Sequence, residues 1–348
     1  MGRTLAQRYR HAGEVEAAGF LHQRVALALS ESDEALRALG TLPARRRSPD
    51  RVLAALHDLA LAGRAPALAA AYAAGDHDAA ARAAVATLRE MPEAVADGAA
   101  TTPRPGETGR APVLLPAIAE ATQRVGAAAV GLVDVGCSAG FDLVVDRVGV
   151  TYDGGPTLGD PSSPVQRSAS VVGERPLPAR ALPPVVARIG VDDDPVDVTD
   201  TDQARRLRAA VPPDHHERAA ALDAEITLAG ATGKVLLRGD PVDLLPDALA
   251  HVPADALPVV TTTWTLSALP LERRLRFLQR LDAAATDRPV AWVSAEGVGV
   301  APAVPTLGDR PASGHSILGL VVLEHRVMRA EALGRCWSRG RMLSWLAG

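Results

Sequence analysis

LVDVGCSAGFDL, from Leu132 to Leu143, is the stretch on which the fold turns. An aliphatic run carries Asp134 near its end and Gly136 follows it. After Cys137, Ser138 and Ala139 comes Gly140, which opens a helix. Small residues at the carboxyl end of a first parallel strand let a ligand approach the backbone, and the helix start behind them offers unpaired N–H groups. The pattern outlines a cofactor site, and it equally describes a tight turn that binds nothing.

Downstream, short β-branched runs alternate with helical spacing. Strands are expected at Gly131–Val135, Val185–Asp192, Lys234–Arg238, Pro258–Thr263 and Pro289–Ser294, with helices near Asp202–Val211, Glu217–Ala229, Pro246–His251 and Pro270–Ala284. Such alternation predicts a parallel, doubly wound sheet. The stretch Ile317 to Leu346 reads as two longer strands, and Asp153 to Pro184, rich in Pro, Gly and Ser, as an inserted, partly stranded loop. Upstream, residues 1–125 show helical spacing only, including a start at Ser48, Pro49 and Asp50, and a turn-rich linker from Asp97 to Gly109.

Composition bounds the function. A chain of 348 residues with 47% hydrophobic content buries a real core. The 37 basic and 41 acidic residues give a net charge of -4, and 3% aromatics supply no base-stacking platform, so nucleic acid is not an expected partner. The charged start MGRTLAQRYRHAGEVE has no apolar segment of a secretion signal, and no uncharged run approaches the roughly 18 residues of a membrane span. A cytoplasmic location and no membrane partner are expected. Cys137 and Cys336 are read as reduced thiols.

The order of blocks resembles class I S-adenosylmethionine-dependent methyltransferases. Their first motif is an acidic residue, x, Gly, x, Gly, x, Gly after the first strand. Asp134, Gly136 and Gly140 match it, while Ser138 stands for the middle glycine. The resemblance implies a Rossmann-like, mostly parallel seven-stranded sheet over 126–348, with an insertion at about 147–184, and S-adenosylmethionine as cofactor. In RIGVDDDPVDV it places Asp192 as the ribose carboxylate, with Asp153 as the alternative. In VLLRGDPVDLLP it places Gly239 and Asp240 against the adenine. Cys137, Ser138 and Ala139 would lie along the cofactor, with Thr263 at the end of the fourth strand and Trp264 where the acceptor would sit. The chain as a whole resembles an uncharacterised actinobacterial family, the domain-of-unknown-function 2332 group, in GETGRAPVLLPA and in the Gly-Val-Asp-x-x-Pro-Val-Asp run, and that likeness implies no reaction.

Two other readings stand beside it. The residues Gly136 to Gly140 also satisfy G-x-S-x-G, the elbow of serine hydrolases, with Ser138, then Asp240 or Asp243, then His315 in chain order. Alternatively, the fold serves as a scaffold or binding module without catalysis. Candidate catalytic residues are Glu107, Arg110, Trp264 and His57, although His57 lies in the apolar stretch LAALHDLALAG and equally reads as a core histidine. Asp192, Asp193 and Asp194 could meet a divalent metal, but a strand end feeding a turn explains them, and no metal centre is expected. The reading reached is an α/β protein with an N-terminal all-helical cap over 1–125. It is expected to transfer a methyl group from S-adenosylmethionine to a small-molecule substrate.

Overall fold

Local signals become elements close to where spacing places them. The computed structural model describes residues 3–14, 19–44, 46–101, 110–153 and 155–348. In chain order the first helices are α1 (Leu5–Gly13), α2 (Phe20–Glu31), α3 (Asp33–Thr41), α4 (Pro49–Leu61), α5 (Pro66–Ala74), α6 (His77–Glu90), α7 (Pro92–Thr101) and α8 (Ala111–Val125). Then come β1 (Val130–Val135), β2 (Gly149–Asp153), β3 (Thr157–Gly159), β4 (Gln166–Val171), β5 (Val185–Asp192), α9 (Thr201–Ala209), α10 (His216–Gly230) and β6 (Val235–Arg238). The remainder is α11 (Leu245–Ala250), β7 (Leu257–Thr263), α12 (Leu271–Ala284), β8 (Val290–Gly297), β9 (Ser316–Glu324), β10 (Val327–Trp337) and β11 (Met342–Trp345). Contacts divide the chain into two units, Met1–Gly106 with Asp197–Asp223, and Glu107–Val196 with Ala224–Gly348.

The first unit is helical. Thr4 and Gln7 form a reciprocal capping box on α1, Asp76 caps α6, Asp200 caps α9, and Gly75 closes α5 in the left-handed conformation. Ser48 stands at the N-cap of α4 but makes no side-chain cap bond, so Pro49 in the first turn is the signal that counts there. Its core joins Tyr9, Leu21, Leu29, Leu39, Leu56 and Leu88 with many alanines. Helix α7 runs five residues into the stretch expected to be a linker. Gly98 is the reason: a Cβ there would lie 2.9 Å from Ala55 Cβ, so this glycine serves helix packing rather than a turn. The rest of that linker, 102–109, lies outside the described residues.

The second unit is built on one mixed sheet of eleven strands in the order β3-β2-β4-β11-β10-β9-β8-β7-β1-β5-β6. This corrects the expected seven-stranded, mostly parallel sheet. Strands β6, β5, β1, β7 and β8 are parallel, as the alternation requires, but β9 runs antiparallel to β8, β10 to β9 and β11 to β10. The insertion does not stay a loop: β4 pairs with the open edge of β11, carrying β2 and β3 into the same sheet. An unpaired edge exposes N–H and C=O groups, and this pairing satisfies both edges at once.

Both faces of the sheet are covered. On one, Leu132, Val259, Val293 and Leu320 pack with α8, every residue of which is buried from Ala111 to Thr122. On the other, Val133, Val260 and Trp292 pack with Leu245 of α11 and with Phe277 and Leu281 of α12. In order of appearance the parallel strands read third, second, first, fourth, fifth, so the connections reverse direction between β1 and β7. Ligands of open α/β sheets bind at the carboxyl ends of the strands beside such a reversal.

Candidate functional site

The carboxyl end of β1 feeds the turn Gly136 to Gly140, where Gly136, Ser138 and Gly140 have φ of 78, 49 and 69°. A Cβ at Gly136 would lie 2.5 Å from the Thr265 side chain, so that glycine answers an internal contact as well as any ligand. Ser138 holds a conformation that costs a residue with a side chain about 1–2 kcal/mol. Its N–H donates to Asp192 Oδ2 (3.0 Å), and its carbonyl accepts the Val196 N–H (2.9 Å). Asp192 Oδ1 accepts the Asp194 N–H (2.9 Å), so this carboxylate straps the glycine turn to the end of β5. The Cys137 sulfur fills the space over Gly190, where a Cβ would come within 2.6 Å, and burial pushes its thiol pKa far up. It is a packing residue.

Beneath the turn sits Asp134, which is 1% exposed. Register places it beside Thr261, whose Oγ1 donates to Oδ1 (2.8 Å), while Oδ2 has no hydrogen-bond partner among the described residues. Burial, then the neighbouring Asp142 charge, pushes its pKa up to about 7 against the pull of Arg110. Arg110, at the N-cap of α8, donates to Asp142 Oδ2 (3.1 Å) and to Thr263 Oγ1, and Thr263 Oγ1 also donates to Asp142 Oδ2 (3.2 Å). The Arg110 guanidinium lies 5.7 Å from the centre of the Trp264 ring. Trp264 itself has φ of 53°. Its indole N–H donates to Ser316 Oγ (2.8 Å), and Glu296 Oε1 accepts the N–H groups of the next two residues, Thr265 and Leu266 (3.0 Å each). Burial pushes Glu296 up to about 7.

The fold therefore gathers Asp134, Gly136, Cys137, Ser138, Ala139, Gly140 and Asp192 at one crevice, with Thr263, Trp264 and Arg110 on its β7 side. Gly239 joins them by donating its N–H to the Asp192 carbonyl (2.9 Å). Asp240 turns to local work: its Oδ1 accepts the N–H groups of Val242 and Asp243 and pairs with Arg273. Asp153 ends β2, exposed, and accepts the Ser170 hydroxyl (2.9 Å). Asp194 pairs with Arg238. His57 belongs to the helical unit, where its Nδ1 lies 3.2 Å from the Ala209 carbonyl. Glu107 lies outside the described residues. Sequence reasoning overlooked Asp142 and Glu296. The signal for each was an acidic residue at a strand or turn end, within GFDL and SAEG.

The hydrolase constellation does not assemble. His315 Nε2 is 2.9 Å from Asp309 Oδ2, a carboxylate also held by Arg335, and no hydrogen bond joins Ser138 to a histidine among the described residues. Strands β1 and β9 are three positions apart in the sheet, about 14 Å at the usual strand spacing. A fluorophosphonate probe is accordingly expected to leave Ser138 unlabelled. Stoichiometric labelling that disappears in Ser138→Ala would overturn this.

A family model described as an uncharacterized protein conserved in bacteria (DUF2332) matches residues 6–345. No curated protein and no solved structure matches the chain.

Proposed function

The chain belongs to that bacterial family, DUF2332, and from this premise we propose that it binds S-adenosylmethionine at the crevice over β1 and β5 and transfers a methyl group to a small-molecule acceptor. The observation that carries the reading is the buried Asp134 with its unpartnered oxygen beside the glycine turn. Asp192 stands at the neighbouring strand end, and neither carboxylate makes an ion pair among the described residues. A dinucleotide would bring a pyrophosphate, which asks for positive charge at this position. Two acids without an ion pair suit instead a nucleoside with a sulfonium and an ammonium group. When bound, that cofactor supplies an activated methyl group.

The protein's own part is to bind, orient and exclude water. Each oxygen of Asp192 spends one lone pair on a backbone N–H and keeps another for a ribose hydroxyl. Once ionised, above about pH 7, the Asp134 carboxyl adds negative potential under the turn. Trp264 and Arg110, locked by Ser316, Thr263 and Asp142, form a rigid wall on the acceptor side. In-line methyl transfer draws its rate from positioning and desolvation, so no dedicated base is needed.

Calorimetric titration with S-adenosylmethionine and S-adenosylhomocysteine tests this. Two charge-assisted hydrogen bonds at roughly 1.5–3 kcal/mol each sum to about 3–6 kcal/mol, so Asp192→Ala should weaken binding by about a hundredfold or more. Asp153→Ala should leave it unchanged. Failure of both ligands to bind at about millimolar concentration, the weakest range such a titration reads, would favour the scaffold reading.

A further inference from the structure

The helical unit holds a cavity of about 470 Å³ that plays no part in the crevice just described. Its walls are apolar on one side, from Leu21, Ala60, Ala69 and Ala73, and polar at one end, where His57, Tyr72 and Asp214 converge. Tyr72 and His57 are each 8% exposed, and His22 behind them 5%. The three rings meet edge to face, with centres 5.5 Å apart for His57 and Tyr72, 5.9 Å for His22 and His57, and 6.1 Å for His22 and Tyr72.

Polar groups are left over at this end. The Tyr72 hydroxyl, Asp214 Oδ1 and His22 Nε2 are buried and have no hydrogen-bond partner among the described residues. Buried polar atoms are nearly always paired, so two of them on residues lining one cavity, Tyr72 and Asp214, with His22 behind, point to an absent partner. Asp214 has a structural task as well. Its Oδ2 accepts the Leu21 N–H (3.2 Å) in the first turn of α2, where Gly19 at the N-cap brings no side chain. That task uses one oxygen and leaves the other.

The charge is one-sided. Among the described residues Asp214 is the only acidic one lining the cavity and no lysine or arginine lines it, while His216 stands at its exposed rim. Burial lowers the pKa of His57 and of His22, the latter to about 3, so neither of these two buried rings is a cation that could neutralise the carboxylate. A negative charge beside aromatic rings, at the end of an apolar pocket of ligand size, is the chemistry that recognises an organic cation.

We propose that this cavity binds a small primary amine with an apolar body, its ammonium group paired with Asp214 Oδ1 and hydrogen-bonded to the Tyr72 hydroxyl. The apolar body would lie along the alanine wall. The inference stands independently of the cofactor reading, because it uses none of the same residues.

The test is calorimetric titration of the full chain with butylamine, cyclohexylamine and phenethylamine, alongside 2-phenylethanol and phenylacetate as neutral and anionic counterparts. At least one amine should bind saturably, and phenethylamine about tenfold or more tighter than its alcohol, since a charge-assisted hydrogen bond is roughly twice as strong as a neutral one. Asp214→Asn keeps an acceptor for the Leu21 N–H and so keeps α2 capped, but it should weaken the amine by about tenfold or more. Tyr72→Phe should weaken it severalfold without lowering the melting temperature, because the hydroxyl has no partner to lose. The proposal is overturned if no amine binds at about 10 mM, a range of only a few kcal/mol, or if the alcohol or the acid binds as well as the amine. Unchanged affinity in Asp214→Asn also overturns it. Should that variant not fold, unchanged affinity in Tyr72→Phe decides in its place.

Discussion

Asp134→Asn is expected to raise the melting temperature at pH 8 and to leave it nearly unchanged at pH 4. The carboxyl is buried under the glycine turn with one oxygen bonded to Thr261 and the other unpartnered, and its pKa lies near 7 in the folded chain against 3.8 ordinarily. Below about pH 4 it is protonated in both the folded and the unfolded state, so it contributes no difference. As pH rises toward 7 the unfolded chain releases a proton that the folded chain keeps. Stability therefore falls through this window, and above it the folded protein carries a buried charge. Three units of pKa correspond to a cost on the order of 4 kcal/mol, as an upper bound, and asparagine removes that cost while retaining an acceptor for Thr261. Glu296 shifts in the same direction, so the comparison of variant with parent, rather than the slope of either, isolates Asp134. The same substitution should weaken S-adenosylmethionine binding. A variant that melts below the parent at pH 8 would mean that the buried carboxylate stabilises the fold rather than burdening it.

The second large effect is expected at Arg188, on β5 and 7% exposed. Its guanidinium meets Asp146 through two bonds of 2.6 Å and also donates to the Leu143 carbonyl. It thereby ties the short helix Asp142–Arg147, which carries Asp142 into the crevice, to the strand that ends in Asp192. Arg188→Met removes one member of a buried pair and leaves the other's charge behind, a change that costs about 3–5 kcal/mol. Asp146 keeps some solvent contact, so the lower end of that range is expected. Urea denaturation should register the loss, and Arg188→Met with Asp146→Leu should recover most of it, because both charges then leave together. A loss below about 1 kcal/mol would place the pair among surface ion pairs. Recovery of stability without recovery of cofactor binding would show that the pair's larger role is to position Asp142.

The parts of this protein that its sequence determines are those governed by neighbours along the chain. Strand β5 spans the residues its β-branched run predicts, helix ends fall at Gly75 and Gly126, and Asp76 and Asp200 begin helices, because caps and periodicity act within a few residues. The crevice was legible to the same extent. Asp134, Gly136, Ser138 and Gly140 sit in one local motif, and Asp192 ends the next parallel strand.

The tertiary structure alone decided what depends on residues far apart in the chain. The turn between β9 and β10 is made by His325 and Arg326, both with positive φ, where no glycine or asparagine announces a hairpin. Eleven strands form one sheet because β4 meets the open edge of β11, a pairing of segments about 170 residues apart whose driving force is edge satisfaction, with no local signature. Asp142 joins the site through Arg110 and Thr263, and Asp214 reaches a cap 193 residues away. The physical reason is common to all of these. A carboxylate's pKa, partners and cost are set by burial and by the dipoles packed around it, and those exist only once the distant elements have come together.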